Sequence, residues 1–245
     1  MIDAQEIVYV DDIANYVARV ADYFTARPGV ALVEIYKLGS LAHGGFSHEY
    51  SDIDVGIILN CPTPPVEMDE LIAGAKTLDA KYGNKLSVFW GNPLFSWGRL
   101  PILDRLDLLD HGVPLVNDRK ANFPRPSKGE IRFALRDSIE KSWRPRFPGL
   151  QKLPQLEAAY RKPYIRCLLY PARLIYTWDC LEVNSNDRAV EYLRRVQPPN
   201  LDLQPIEMAL ACRHGGCDAE EVFALGTDLD RQCGATLSYI AATAQ

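Results

Sequence analysis

Apolar positions along this chain first recur with the period of a helix, then with that of strands, and then with that of helices again. Between residues 11 and 26, Ile13, Val17, Val20, Ala21 and Phe24 fall three or four apart, which predicts an amphipathic helix stopped by Pro28-Gly29. "ALVEIYKL" (31 to 38) is rich in β-formers and ends at Gly39, so it reads as a strand. In "IDVGIIL" (53 to 59) the alternation is clear: Ile53, Val55, Ile57 and Leu59 share one face. A helix is predicted from about Val66 to Tyr82, a third strand at "KLSVFW" (85 to 90), and a short helix over "PILDRLDLLDHG" between Pro101 and Gly112.

Proline and charge punctuate 117 to 128, and beyond that point the pattern is almost wholly helical. Helices are expected over about 129 to 142, 162 to 179, 187 to 196, 204 to 214 and 218 to 244, with Pro163 opening the second and Pro171 kinking it. The expected architecture is α+β: a mixed sheet domain over 1–120, then an α-helical bundle domain over 121–245.

Charge and composition narrow the function classes. A net charge of −5 over 245 residues argues against general nucleic-acid binding. No apolar run approaches the ~20 residues that span a bilayer, so no membrane role is expected. The acidic N-terminus lacks the basic start of a secretory signal. Six cysteines without a C-x-x-C pair point to reduced thiols, a cytoplasmic protein and no zinc site.

The chemistry is concentrated in "KLGSLAHGGFSHEYSDIDVGIIL" (37 to 59). Asp52 and Asp54 share one face at the start of a strand, and two carboxylates so placed repel unless a cation lies between them. Magnesium suits them, because it is usually held by one or two carboxylates with phosphate oxygens completing its shell. Twelve residues before Asp52, Gly39-Ser40 ends the preceding strand, where backbone N–H groups and a hydroxyl suit a phosphate. Gly44 and Gly45 let the chain turn closely around it.

Gly-Ser, a spacer and D-x-D, in that order, resemble the nucleotidyltransferase superfamily, and most closely the aminoglycoside adenylyltransferases of the streptomycin/spectinomycin type. "CLLYPARLIYTWDCLEVNSNDRAVEYLRRV" (167 to 196) is similar to a second-domain segment of that family, with Arg173 at the place of an arginine that faces the nucleotide phosphates. The resemblance implies a polymerase-β-like sheet domain followed by a helical domain, and Mg²⁺-dependent transfer of a nucleoside monophosphate from ATP to a hydroxyl of a small acceptor. It implies Gly39, Ser40 and Arg173 as nucleotide-binding residues, and Asp52 and Asp54 as catalytic metal ligands. Some relatives complete the site across a homodimer, so that state is left open.

The match also fails in places. The family's third carboxylate, on the next strand, falls at Ser87, and its ATP-contacting lysine falls at Asn186. Residues that grip streptomycin fall near Pro154, Ala159 and Pro163, where nothing acidic or aromatic matches, which argues against streptomycin. A serine hydroxyl cannot take a proton near neutral pH as a carboxylate does. A second expectation is therefore a nucleotide-binding or interaction module with impaired catalysis, with Asp104 and Asp107 as the nearest replacement carboxylates.

Basic residues outnumber acidic ones ten to three from Arg119 to Lys152, which suggests a solvated face first and an RNA- or phosphate-facing one second. Asp104, Asp107 and Asp110 at helical spacing likewise read as a solvated face.

Overall fold

The alternating stretch 53 to 59 becomes the central strand of a five-stranded sheet. The computed structural model describes residues 4–27, 31–117 and 123–244. Pro28-Gly29 and the 120/121 boundary lie outside them. The chain divides into two units, one of residues 1–44 and 52–125, the other of residues 45–51 and 126–245.

In the first unit, helix α1 (Ala4–Thr25) precedes strand β1 (Leu32–Lys37), the short helix α2 (Ser40–His43) and strand β2 (Ile53–Leu59). Helix α3 (Pro65–Lys76), strands β3 (Leu86–Gly91) and β4 (Gly98–Arg99), helix α4 (Ile102–His111) and strand β5 (Val113–Pro114) follow. The sheet order is β4-β3-β2-β1-β5. Only β2 and β3 run parallel, joined across α3, and the other pairs are antiparallel. The mixed sheet expected from the sequence is present.

Both faces of β2 are covered. Ile53, Val55, Ile57 and Leu59 are fully buried, as their alternation requires, and α1 packs on α3 and β1. The opposite face carries Asp54, Gly56 and Ile58 in turn. There Tyr36, Leu38, Ile58, Phe95, Leu100, Leu108 and Phe123 form one cluster. Gly56 admits α4 to this face: a Cβ would lie 3.0 Å from Leu38 Cδ1 and 3.3 Å from Leu108 Cδ1. Asp54 therefore sits on the side of the sheet against which α4 packs.

The second unit is helical, as expected. It contains α5 (Lys128–Ser138), running on as a π-helical turn (Ile139–Trp143), then α6 (Phe147–Gln151), α7 (Ala158–Cys180) and α8 (Asn186–Val196). Helices α9 (Gln204–Arg213), α10 (Ala219–Phe223) and α11 (Leu229–Ala242) complete it. Ser127 and Glu130 close a reciprocal capping box on α5, each satisfying a backbone N–H of the other.

Helix α7 is the hub, packing on α5, α8, α9, α10 and α11. It starts five residues before Pro163, which therefore lies in its interior rather than at its first turn. The helix expected over 218 to 244 is two, broken where Gly226 takes φ +60°. Trp178 of α7 is buried, donates to Thr243 Oγ1 at 3.1 Å, and lies under the guanidinium groups of Arg132 (4.3 Å) and Arg136 (5.2 Å). Trp178→Ala should lower the unfolding free energy by about 3–5 kcal/mol, measured by denaturant titration.

Candidate functional site

Gly39 leaves β1 with φ +60° and ψ −150°, a conformation nearly confined to glycine. Its own carbonyl accepts from Ala42 N–H (2.8 Å) and His43 N–H (3.0 Å), closing the single turn of α2 over Ser40. Leu38 N–H donates to the carbonyl of Asp54 at 2.9 Å, which ties the end of β1 to the start of β2. The fit at this junction is close. A Cβ on Gly39 would stand 2.4 Å from Asp54 Oδ2. Gly39, Ser40, Asp52 and Asp54 thus belong to one unit, and Gly39 touches Asp54.

The parallel register of β2 and β3 pairs Asp54 with Ser87. Neighbours in register on parallel strands point to the same face, so Ser87 occupies the place beside Asp54 that the sequence resemblance gives to a carboxylate. Among the described residues, no group of three or more histidine, cysteine or acidic side chains is arranged to hold a metal ion. A pair of carboxylates is still a fitting donor set for magnesium, whose remaining positions go to water and phosphate oxygens.

One acidic residue departs from the sequence expectation. Asp107 of α4 is not on a solvated face but is 8% exposed, with Oδ2 accepting from Gly39 N–H at 2.5 Å. Its other oxygen, Oδ1, is buried without a hydrogen-bond partner and lies 3.8 Å from His43 Nε2. The His43 ring meets that of His111 edge-on at 5.4 Å. The i, i+4 spacing of Asp107 and His111 places both on one side of α4. Spacing alone could have flagged this pair, but not their burial against the Gly-Ser turn. Asp110, on the same helix, is held by Arg125 at 2.5 and 3.1 Å.

The segment 45–51, between the Gly-Ser turn and the D-x-D pair, packs with the helical unit. Arg213 Nη2 donates to the Gly45 carbonyl (3.1 Å) and to Ser51 Oγ (2.9 Å), and Ser47 N–H donates to the same hydroxyl at 3.0 Å. The Cys212 thiol lies 3.2 Å from the Tyr50 hydroxyl. Burial, and next the thiol beside it, push the Tyr50 hydroxyl well above its usual range, and burial raises Cys212 as well. Gly45 fits where a Cβ would lie 2.9 Å from Asp187 Oδ2, and Asp187 Oδ1 in turn meets His214 Nε2 at 2.7 Å. His214 therefore hydrogen-bonds Asp187 as well as ending α9.

Arg173 is exposed on α7, a helix whose other faces are largely buried. Asn186 is the first residue of α8, capped by Ser185. The basic stretch is partly used internally: Lys141 pairs with Asp137, Arg144 with Glu140, and Arg146 donates to the Tyr170 hydroxyl. All six cysteines are free. No helix among the described residues is long and apolar enough to cross a membrane.

No protein-family model matches the chain, and no curated protein matches it in sequence. Among solved structures, it is similar to the spectinomycin adenyltransferase AAD(9) from Enterococcus faecialis, determined with ATP and spectinomycin. The two share 15% identity over 89% of this chain and 97% of that one, with a TM-score of 0.58. A mixed sheet followed by helices is thus the fold that this chain shares with that adenyltransferase.

Proposed function

We propose that the protein is a magnesium- and ATP-dependent nucleotidyltransferase that transfers a nucleoside monophosphate to a hydroxyl of a small acceptor. The observation that supports this reading is the closure of Gly39 onto Asp54, which sets the Gly-Ser turn beside a carboxylate-bearing strand. Asp52 and Asp54 would hold the metal, which when bound neutralises phosphate charge and polarises the transferring group. Ser40, on the turn that Gly39 shapes, would grip the phosphates, and the resemblance adds Arg173 as a further nucleotide-binding residue. The acceptor is a small hydroxylated molecule of the aminoglycoside class. The name of the structural relative supports that class.

In the test, radiolabelled ATP is titrated with and without magnesium. Saturable binding that requires the metal is expected, and its absence removes the reading.

The pairing of Ser87 with Asp54 favours a second reading, in which the fold binds nucleotide but turns it over poorly. Transfer of AMP to any acceptor, abolished by Asp52→Ala, would exclude it.

A further inference from the structure

We propose that Arg146, held on the Tyr170 hydroxyl one turn from Arg173, is a second anion-binding arginine on the outer stripe of α7, and that the two bind a di- or triphosphate group. The inference deepens the nucleotidyl-transfer reading above and rests on it for one point, that the phosphates belong to ATP.

Three observations lead to it. The first is the outer face of α7. Between Arg161 and Asp179 the only exposed positions are Arg166 and Arg173. Seven residues make about two turns, so both lie on one stripe, with half-buried Tyr170 between them. A helix packed on five others thus shows solvent little but arginine along this stretch.

The second is what reaches the stripe from outside the helix. Arg146 Nη1 donates to the Tyr170 hydroxyl at 3.2 Å. The Tyr170 ring lies 5.9 Å from that of Trp143, which meets Phe147 edge-on at 5.3 Å. Trp143 and Phe147 flank the turn Arg144–Arg146 and are both buried, so Arg146 is anchored on either side. Burial pushes the Cys167 thiol of α7 up to about 11, and the charges of Arg146 and Arg166 pull the other way. Both guanidinium groups are therefore felt at this turn of the helix.

The third is the kind of partner these arginines have. Elsewhere in the basic stretch, Lys141 is matched by Asp137 and Arg144 by Glu140. Among the described residues, neither Arg146 nor Arg173 makes an ion pair, and Arg146 is held by a neutral hydroxyl. A guanidinium so held keeps its charge and most of its donors for another acceptor. The chain carries a net charge of −5, so this cationic patch is local.

A phosphate answers that description, because its oxygens match the planar guanidinium fork. Tyr170 and Arg173 are three residues apart, which sets their Cβ atoms ~5–6 Å apart on one side of the helix. A diphosphate offers each guanidinium its own phosphate, and a lone orthophosphate does not.

The test is calorimetry on the full chain with magnesium and, in turn, pyrophosphate, ATP, AMP and orthophosphate. Wild type is expected to bind pyrophosphate, and orthophosphate at least ~10-fold more weakly. Arg146→Gln should lower the affinity for pyrophosphate and ATP by ~10-fold and leave that for AMP unchanged, since one charge-assisted contact is lost. Arg173→Gln should lower pyrophosphate affinity by a similar factor. Both variants should melt as wild type does, because neither side chain is buried. Tyr170→Phe keeps the ring but releases Arg146, and should lower pyrophosphate affinity by a smaller factor, ~3-fold.

Unchanged pyrophosphate affinity in Arg146→Gln, with ATP still bound, would overturn the proposal and leave the nucleotide-binding reading standing. Orthophosphate bound as tightly as pyrophosphate would overturn it too, as the mark of a merely charged surface. So would an equal fall in AMP affinity. If Arg146→Gln melts early, Tyr170→Phe decides, and unchanged pyrophosphate affinity there overturns the proposal. Pyrophosphate binding that depends on Arg146 in a protein that does not bind ATP supports the site and removes the nucleotide reading instead.

Discussion

Asp54→Ala is expected to abolish magnesium-dependent ATP binding while the protein still folds. Loss of an outer partner of a metal ligand typically costs ~10–100-fold in affinity, so loss of one of two direct carboxylate ligands should cost at least ~10²-fold. Calorimetry with a non-hydrolysable analogue would read the first effect and thermal denaturation the second. A variant that binds as wild type would disprove the metal assignment. One that simply melts early would show Asp54 to be structural.

The second large effect belongs to Gly39→Ala. The φ and ψ of Gly39 lie in a region essentially reserved for glycine, and holding another residue there costs ~1–3 kcal/mol. The added methyl would also stand 2.4 Å from Asp54 Oδ2, so the carboxylate has to swing away. Both stability and ATP binding should therefore fall, the first by about 1–3 kcal/mol and the second to background. Gly44 provides the control. It has φ +90°, but a methyl added there would meet nothing within 4 Å, so Gly44→Ala should show backbone strain while keeping measurable ATP binding. Equal loss of binding in the two variants would detach Gly39 from the site.

These two residues are legible in the sequence for different reasons. The strand alternation of 53 to 59 assigns Asp54 to the face opposite Ile53 and Val55, because a period of two leaves no choice, whereas Asp52 precedes β2 and is not fixed by it. Placing Ser87 beside them from sequence rests on resemblance, and the parallel register pairs it with Asp54. What stays hidden depends on long-range packing. Strands β4 and β5 are two residues each, too short to leave a period. The break at Gly226 is a single left-handed residue inside an otherwise helical pattern. Asp107 runs against expectation because an acidic residue at helical spacing is usually solvated, and nothing local reports that a glycine N–H 68 residues earlier is its partner. Pro163 suits a helix start by its usual preference, yet α7 runs through it, held by packing against five other helices.

The segment 45–51 has a consequence for how this protein is made. It leaves the ribosome early, but its hydrogen-bonding partners, Cys212 and Arg213, lie 162 or more residues later. Contacts of such separation are slow to form, because a long loop must close before they return any energy. The segment 45–51 is therefore among the last parts of the helical unit to be fixed. A chain stopped before α9 would carry that segment without the two residues that hydrogen-bond it.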